Sequence, residues 1–387
     1  MDRPPRSESS KFASLADTLR RVKDDVRPNI FLREDDVASH YSGVSEDESA
    51  DRDKREAAML VSVAEGHLNE EASDEALETA SEAQQLFEKM GDSSGVADAL
   101  RIIVSAHKSK NEAKKALDIA TEEQQKFEQK GDKHGVAMMM LAAAEVLLFK
   151  RKSSDALESL LETLQMAKQL GDKKLQANVL LLLVDARVMK YHFRAAVQAA
   201  DEAQVLFKEV GDKKGEAKTW LALSKMEGEG SADSVTSAKK ALDLYKEVGD
   251  QLSEVTALHL IAESRMEKED PREAHKFARE ALALARSVGY ARGERVVLRA
   301  LVKSSVDIGD KKGALQEARE GVSQFQRRGD KRGEAAALDV LVQALLAAGE
   351  QEQALKAGWE AMEILRELGD KKLHSRSLLE VAMLHCV

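Results

Sequence analysis

Apolar and polar positions along the chain follow a pattern that restarts at a recurring Gly-Asp dipeptide. It stands at Gly91-Asp92, Gly131-Asp132, Gly171-Asp172, Gly211-Asp212, Gly249-Asp250, Gly329-Asp330 and Gly369-Asp370, with Gly289-Tyr290 at the remaining site. The steps are 40 residues throughout, except for one of 38 between 211 and 249. One period back from Gly91 lies Asp51-Arg52. With the Gly as position 1, position 10 holds Leu60, Leu100, Met140, Leu180, Trp220, Leu258, Leu298, Leu338 and Leu378. Position 13 holds Val63, Ile103, Ala143, Leu183, Leu223, Ile261, Leu301, Leu341 and Val381, and position 7 is mostly alanine. Steps of three place these residues on one stripe of a helix A. A second stripe precedes the next Gly. Fifteen residues before it stand Ala76, Ala116, Ala156, Ala196, Ser234, Ala274, Ala314 and Ala354; four before it stand Phe87, Phe127, Phe207, Tyr245 and Phe325. This stripe defines a helix B whose small residues permit close helix approach. Gly supplies the left-handed residue that ends helix B, and Asp caps the next helix A.

The expected fold class is therefore all-α: an α-α superhelix of eight helix-turn-helix units starting at 51, 91, 131, 171, 211, 249, 289 and 329, closed by a half-unit at 369–387. A long coiled coil is excluded, because its apolar seam would have to run through a helix-ending Gly every 40 residues.

The recurring small, large apolar and helix-B alanine positions resemble the tetratricopeptide repeat in a 40-residue form, over about residues 51–387. The GDKKGEA-type link, as in Gly211–Ala217, is similar to that of the Pins/LGN adaptors, kinesin light chains and some bacterial regulators. The chain departs from the family at two places. The aromatic of the second half of helix A is replaced by residues such as His67, His107, Arg187 and Glu227, and Gly-Asp stands where a proline usually ends the unit.

Residues 1–50 differ in kind. Ser9–Val26 has an amphipathic helical pattern between Pro5 and Pro28, and Ser45–Asp53 is an acidic, apolar-poor linker. The extension is expected to be partly helical or disordered, either capping the first unit or serving as a docking or targeting arm. The unit from 211 loses two residues within Glu227–Asp233, where two glycines suggest a looser joint.

Composition narrows the function. Basic residues number 59 against 69 acidic, a net charge of −10, which argues against general nucleic-acid binding. One cysteine, Cys386, rules out an intrachain disulfide and argues against a cysteine metal cluster. The N-terminus lacks the apolar core of a signal peptide and no stretch is long and apolar enough to span a bilayer, so the chain is expected to be cytoplasmic. The nine histidines form no HExxH, and neither a phosphate-binding glycine loop nor a nucleophile–base arrangement occurs. No catalytic residue, metal site or cofactor is expected. Basic pairs at the start of helix A (Lys173-Lys174, Lys213-Lys214, Lys331-Arg332, Lys371-Lys372) form a candidate edge for acidic partners, but each follows an Asp, which favours a solvated edge.

What remains is a non-catalytic adaptor that holds a peptide or helical segment of another protein. The alternatives are an architectural subunit of a larger assembly and a regulatory sensor of a peptide or small ligand. The resemblance implies that positions 8, 11 and 15 of helix A face a concave groove. Its candidate residues are Met138, Leu141, Asn178, Leu181, Asp185, Lys218, Leu221, Lys225, Arg299 and Lys303. The large apolar residues among them lie outside the packing stripe of positions 10 and 13 and are expected to be exposed to a ligand. Charges flank them unequally, with Asp98, Glu145 and Asp185 on the early side and the four cations on the later side. The resemblance also implies that the Lys–Asn carboxylate clamp of chaperone-binding relatives is missing, since no unit carries that pair at positions 11 and 15.

Overall fold

The computed structural model describes residues 48–226 and 234–369. Apart from Glu48–Asp51, all of these belong to a unit that begins at Arg52. The expected helix at Ser9–Val26, the turn at 227–233 and the half-unit after Gly369 lie outside the described residues. Sixteen helices are described: α1 (Glu48–Asn69), α2 (Ser73–Met90), α3 (Ser93–Ser109), α4 (Ala113–Lys130), α5 (Lys133–Phe149), α6 (Ser153–Leu170), α7 (Lys173–Met189), α8 (Phe193–Val210), α9 (Lys213–Ser224), α10 (Ser234–Val248), α11 (Gln251–Glu267), α12 (Pro271–Val288), α13 (Ala291–Ile308), α14 (Lys311–Arg328), α15 (Lys331–Ala348) and α16 (Gln351–Glu367). Odd numbers are helices A and even numbers helices B, in units I to VIII. No strand occurs among the described residues, and none of their helices is long and apolar enough to cross a membrane.

The Gly-Asp link works as its chemistry requires. Gly91, Gly131, Gly171 and Gly211 all adopt φ between 69° and 73°, a region open to Gly at little cost. The following Asp amide then bonds back to the carbonyl of the residue five earlier, as in Asp92 N to Phe87 O at 2.9 Å. The Asp side chain caps the next helix by accepting from an amide three residues on: Asp92 from Gly95 (3.0 Å), Asp132 from Gly135 (3.0 Å), Asp212 from Gly215 (2.8 Å) and Asp330 from Gly333 (2.8 Å). Tyr290, which replaces Asp in unit VII, gives no side-chain cap.

The turn from helix A to helix B uses the same device with less suitable residues. Glu71, Asn111, Arg151, Tyr191 and Glu269, all at position 21, have φ between 56° and 64°. Units VII and VIII place Gly309 and Gly349 there. The backbone bond across the turn is the same whatever the side chain: Lys152 N to Leu147 O and His192 N to Arg187 O are both 2.9 Å. Each non-glycine residue therefore accepts a left-handed conformation costing roughly 1 kcal/mol.

The two stripes meet in the core. Leu60, Leu100, Leu180, Leu258, Leu298 and Leu338 are 1–3% exposed, and the helix-B alanines from Ala76 to Ala354 are fully buried. Phe87, Phe207 and Phe325 are fully buried at the seams between units, each worth about 1.5–3 kcal/mol of apolar burial. Helices A of neighbouring units touch (α3 on α5, α13 on α15), whereas successive helices B do not pack on one another among the described residues. Closer spacing of the A helices puts them on the inside of the curve. One apolar cluster runs from Ala137 to Met226 and another from Ala217 to Leu365, so both meet on α9.

Candidate functional site

The inner wall is built from the faces of helices A that point away from helices B. Leu181 is half-buried and belongs to neither of these clusters; Asn178 is also half-buried, and half-buried Met138 packs against the Ala137–Met226 cluster. Leu141 and Leu221 differ from expectation. They are 4% and 9% exposed and sit inside the clusters, so these two belong to the core and not to an open groove. Leu141 is taken into the cluster shared with Leu160 and Leu164, and Leu221 into the one shared with Val235 and Ala238, so packing across helix pairs covers position 11 at both sites. The apolar part of the inner wall is consequently narrower than the sequence implied, centred on Leu181 with Met138.

Charged residues surround this centre. Asp185, Lys218, Lys225 and Lys303 are exposed, and Arg299 is half-buried. On the early side the charges are largely satisfied within the wall: Arg101 donates to Glu65 at 2.8 Å and Lys108 to Glu145 at 3.0 Å. On the later side Lys218, Lys225, Arg299 and Lys303 make no ion pair among the described residues. Desolvation by the surrounding wall, reinforced by Lys214 and Arg101, pushes the Lys218 ammonium below the usual lysine range. Desolvation likewise pushes the Asp185 carboxyl up; Glu145 adds to this and Lys225 opposes it. Glu263 is held low, first by its hydrogen bond with His259 and, against burial, by Lys225 and Lys303. Beside Lys225 and Glu263 a depression of about 260 Å³ opens, lined also by Ser224, Leu260, Ser264 and Glu267.

The basic pairs at the start of helix A are used inside the array. Lys173 reaches Glu209 at 3.1 Å, Lys214 reaches Asp250 at 2.7 Å, Lys331 reaches Glu334 at 2.9 Å and Lys213 pairs with Glu247. Thus Asp250 caps its own helix and also ties unit V to unit VI, and the edge has little charge left for a partner. Lys371-Lys372 lies outside the described residues. His107, one of the histidines sharing a repeat slot, is 6% exposed and hydrogen-bonds Glu112 at 2.7 Å. No group of His, Cys, Asp and Glu among the described residues is arranged to hold a metal ion.

The sequence reading did not anticipate the joining of unit I to units VII and VIII, where Glu71 meets Arg292, Arg295 and Arg332. No short-range signal announces it, because the partners are more than two hundred residues apart.

No family model and no curated protein matches the chain. Solved structures do. The signal transduction ATPase with numerous domains from Pyrococcus horikoshii, which carries a tetratricopeptide repeat sensor, superposes with a TM-score of 0.56 at 16% identity, covering 82% of this chain and 49% of that one. Yeast Tom70 superposes with a TM-score of 0.52 at 14% identity, covering 92% of this chain and 68% of that one. The chain thus spans about half the length of the Pyrococcus protein. Both likenesses are likenesses of fold, and with the paired helices and their 40-residue period they establish the architecture. The chain has the fold of a tetratricopeptide-type α-solenoid.

Proposed function

We propose that the protein is a non-catalytic interaction scaffold that holds a peptide or helical segment of another protein against its inner wall. The observation carrying this reading is the set of charged groups around Leu181 that form no ion pair among the described residues. A half-buried leucine outside the core is flanked by exposed Asp185 on one side and by unpaired Lys218 and Lys225 on the other. Charges left unsatisfied around an apolar surface favour an amphipathic ligand of complementary pattern. The ligand has an apolar centre on Leu181 and Met138, basic residues toward Asp185, and acidic residues toward Lys218, Lys225, Arg299 and Lys303. This polarity fixes its direction, and an amphipathic helix or an extended segment suits the surface.

The test is affinity capture with the full chain, comparing wild type with two variants. Leu181→Asp loses a specific set of captured proteins while its helical circular dichroism is retained. Lys225→Glu with Lys303→Glu weakens capture of the same set, and the loss is steeper at low salt than at high salt. If Leu181→Asp unfolds the array, the residue is core and the groove reading fails. Identical captured sets for all three proteins would place the interface elsewhere, as an architectural role on the outer face requires.

A further inference from the structure

Glu71 occupies the turn between α1 and α2 in unit I, yet its carboxylate lies among three guanidinium groups from units VII and VIII. Arg292 Nε is 3.7 Å from one oxygen, Arg332 Nη1 is 3.2 Å from the other, and Arg295 donates to that second oxygen as well. Arg292 and Arg295 stand on the first two turns of α13 and Arg332 on the first turn of α15, so the array has curved back alongside its first unit. The join brings one carboxylate together with three guanidinium groups. Glu71 is 30% exposed and Arg332 is 48% exposed, so water and salt reach the contact. Arg295 also has an alternative partner in Asp330, 3.7 Å away, which shelters its charge when Glu71 leaves. Glu71 sits at φ 64°, the left-handed conformation that the same turn imposes on Asn111, Arg151, Tyr191 and Glu269.

We propose that Glu71 with Arg292, Arg295 and Arg332 forms a charge clasp that closes the array on itself and controls access to the inner wall. The gating half of this proposal rests on the groove reading given above; the clasp does not. A closed array admits a chain segment only by threading, whereas an open one admits it from the side. Ionic strength, or an acidic segment of the ligand competing for the arginines, opens it.

Small-angle scattering and thiol labelling test this in the full chain without any client. Labelling uses Leu181→Cys in a Cys386→Ser background and a bulky maleimide. With the clasp residues intact the chain is compact at low salt and expands as salt rises, and the thiol introduced at position 181 labels several-fold faster in the expanded form. Glu71→Arg is expanded at low salt. Adding Arg292→Glu and Arg332→Glu to it restores both compaction and slow labelling. Glu71→Gly relieves the left-handed backbone and so keeps or raises the melting temperature, yet it expands as Glu71→Arg does, which separates clasp loss from misfolding. Equal scattering radii for wild type and Glu71→Gly at every salt concentration overturn the clasp, as does failure of the charge swap to restore compaction. Expansion without faster labelling overturns the gating. A clasp that behaves as described while Leu181→Asp leaves capture unchanged refutes the groove reading alone.

Discussion

At the scale of single residues, the seams between units show how volume is shared. Gly95, Gly135, Gly215 and Gly333 follow Phe87, Phe127, Phe207 and Phe325 by eight positions, and a Cβ added to any of these glycines would lie 2.2 Å from the ring. Here glycine is required by close approach, since the phenylalanine fills the space that a side chain would take. Between units III and IV the arrangement is reversed: Ala167 stands at the phenylalanine position and Leu175, 3% exposed, fills the space from the other helix. The pair behaves as one volume divided in two ways. Ala167→Phe alone overpacks the seam and costs about 1–3 kcal/mol. Leu175→Gly alone leaves a cavity and costs roughly 2–5 kcal/mol. The double variant recreates the Phe127–Gly135 seam, so its destabilisation falls below the sum of the two by about 1 kcal/mol or more in urea titrations. Additive losses would show that the seam is not a shared volume.

At the scale of elements, some capping aspartates have a second task. Asp172 accepts from Leu175 N at 2.9 Å to cap α7, and its other oxygen lies 3.3 Å from His134 Nε2 on α5. The hydrogen bond to Asp172 raises the His134 imidazole above its usual value, against burial; the same bond, opposed by burial, lowers the Asp172 carboxyl. A raised histidine contributes stability that is complete below its unfolded value of about 6.5 and is lost as pH climbs through the folded value. A lowered aspartate contributes above its unfolded value of about 3.9 and loses that contribution as pH falls through the folded value. The link between units III and IV is therefore strongest between about pH 4 and 6.5. Thermal melts of His134→Gln check this. The variant melts below wild type near about pH 5.5, and the gap narrows as pH rises through the folded value of His134. A gap independent of pH means that the imidazole contributes by packing alone. Both side chains are about one-third exposed, so solvent screens the effect.

At the scale of the whole molecule, apart from the Glu71 join, contacts run mainly between neighbours, so stability varies along the array. The weak point is unit V. Its α9 has 12 residues, whereas α7 before it and α11 after it have 17 each. The two large apolar clusters meet on this short helix, Ala217 and Leu221 serving one and Leu223 the other. Hydrogen exchange read by mass spectrometry should find the amides of Leu221–Ser224 exchanging faster than those of Leu181–Val184, the same positions one unit earlier. Equal protection would mean that the array opens as a single body, with no joint in unit V.

The sequence by itself determined the helices, their pairing, the period and the core stripes. Each unit buries its apolar face on its neighbours through the same few positions, so one local solution is written eight times and its register can be read directly. The Gly-Asp link was legible for the same reason, since one residue type meets one backbone requirement. The turns at position 21 were not. Glu71, Asn111, Arg151 and Tyr191 share a left-handed backbone but no chemistry, because hydrogen bonding across the turn imposes the conformation whatever the side chain. Nor could the sequence assign Leu141 and Leu221 to the core while leaving Leu181 half-buried. All three occupy position 11, and which of them is covered is decided by how the neighbouring helices pack into the shared clusters. The meeting of Glu71 with Arg292, Arg295 and Arg332 depended wholly on tertiary structure. Each unit turns slightly against the last, and only the sum of those rotations over six units brings the first turn within reach of the seventh and eighth helix pairs.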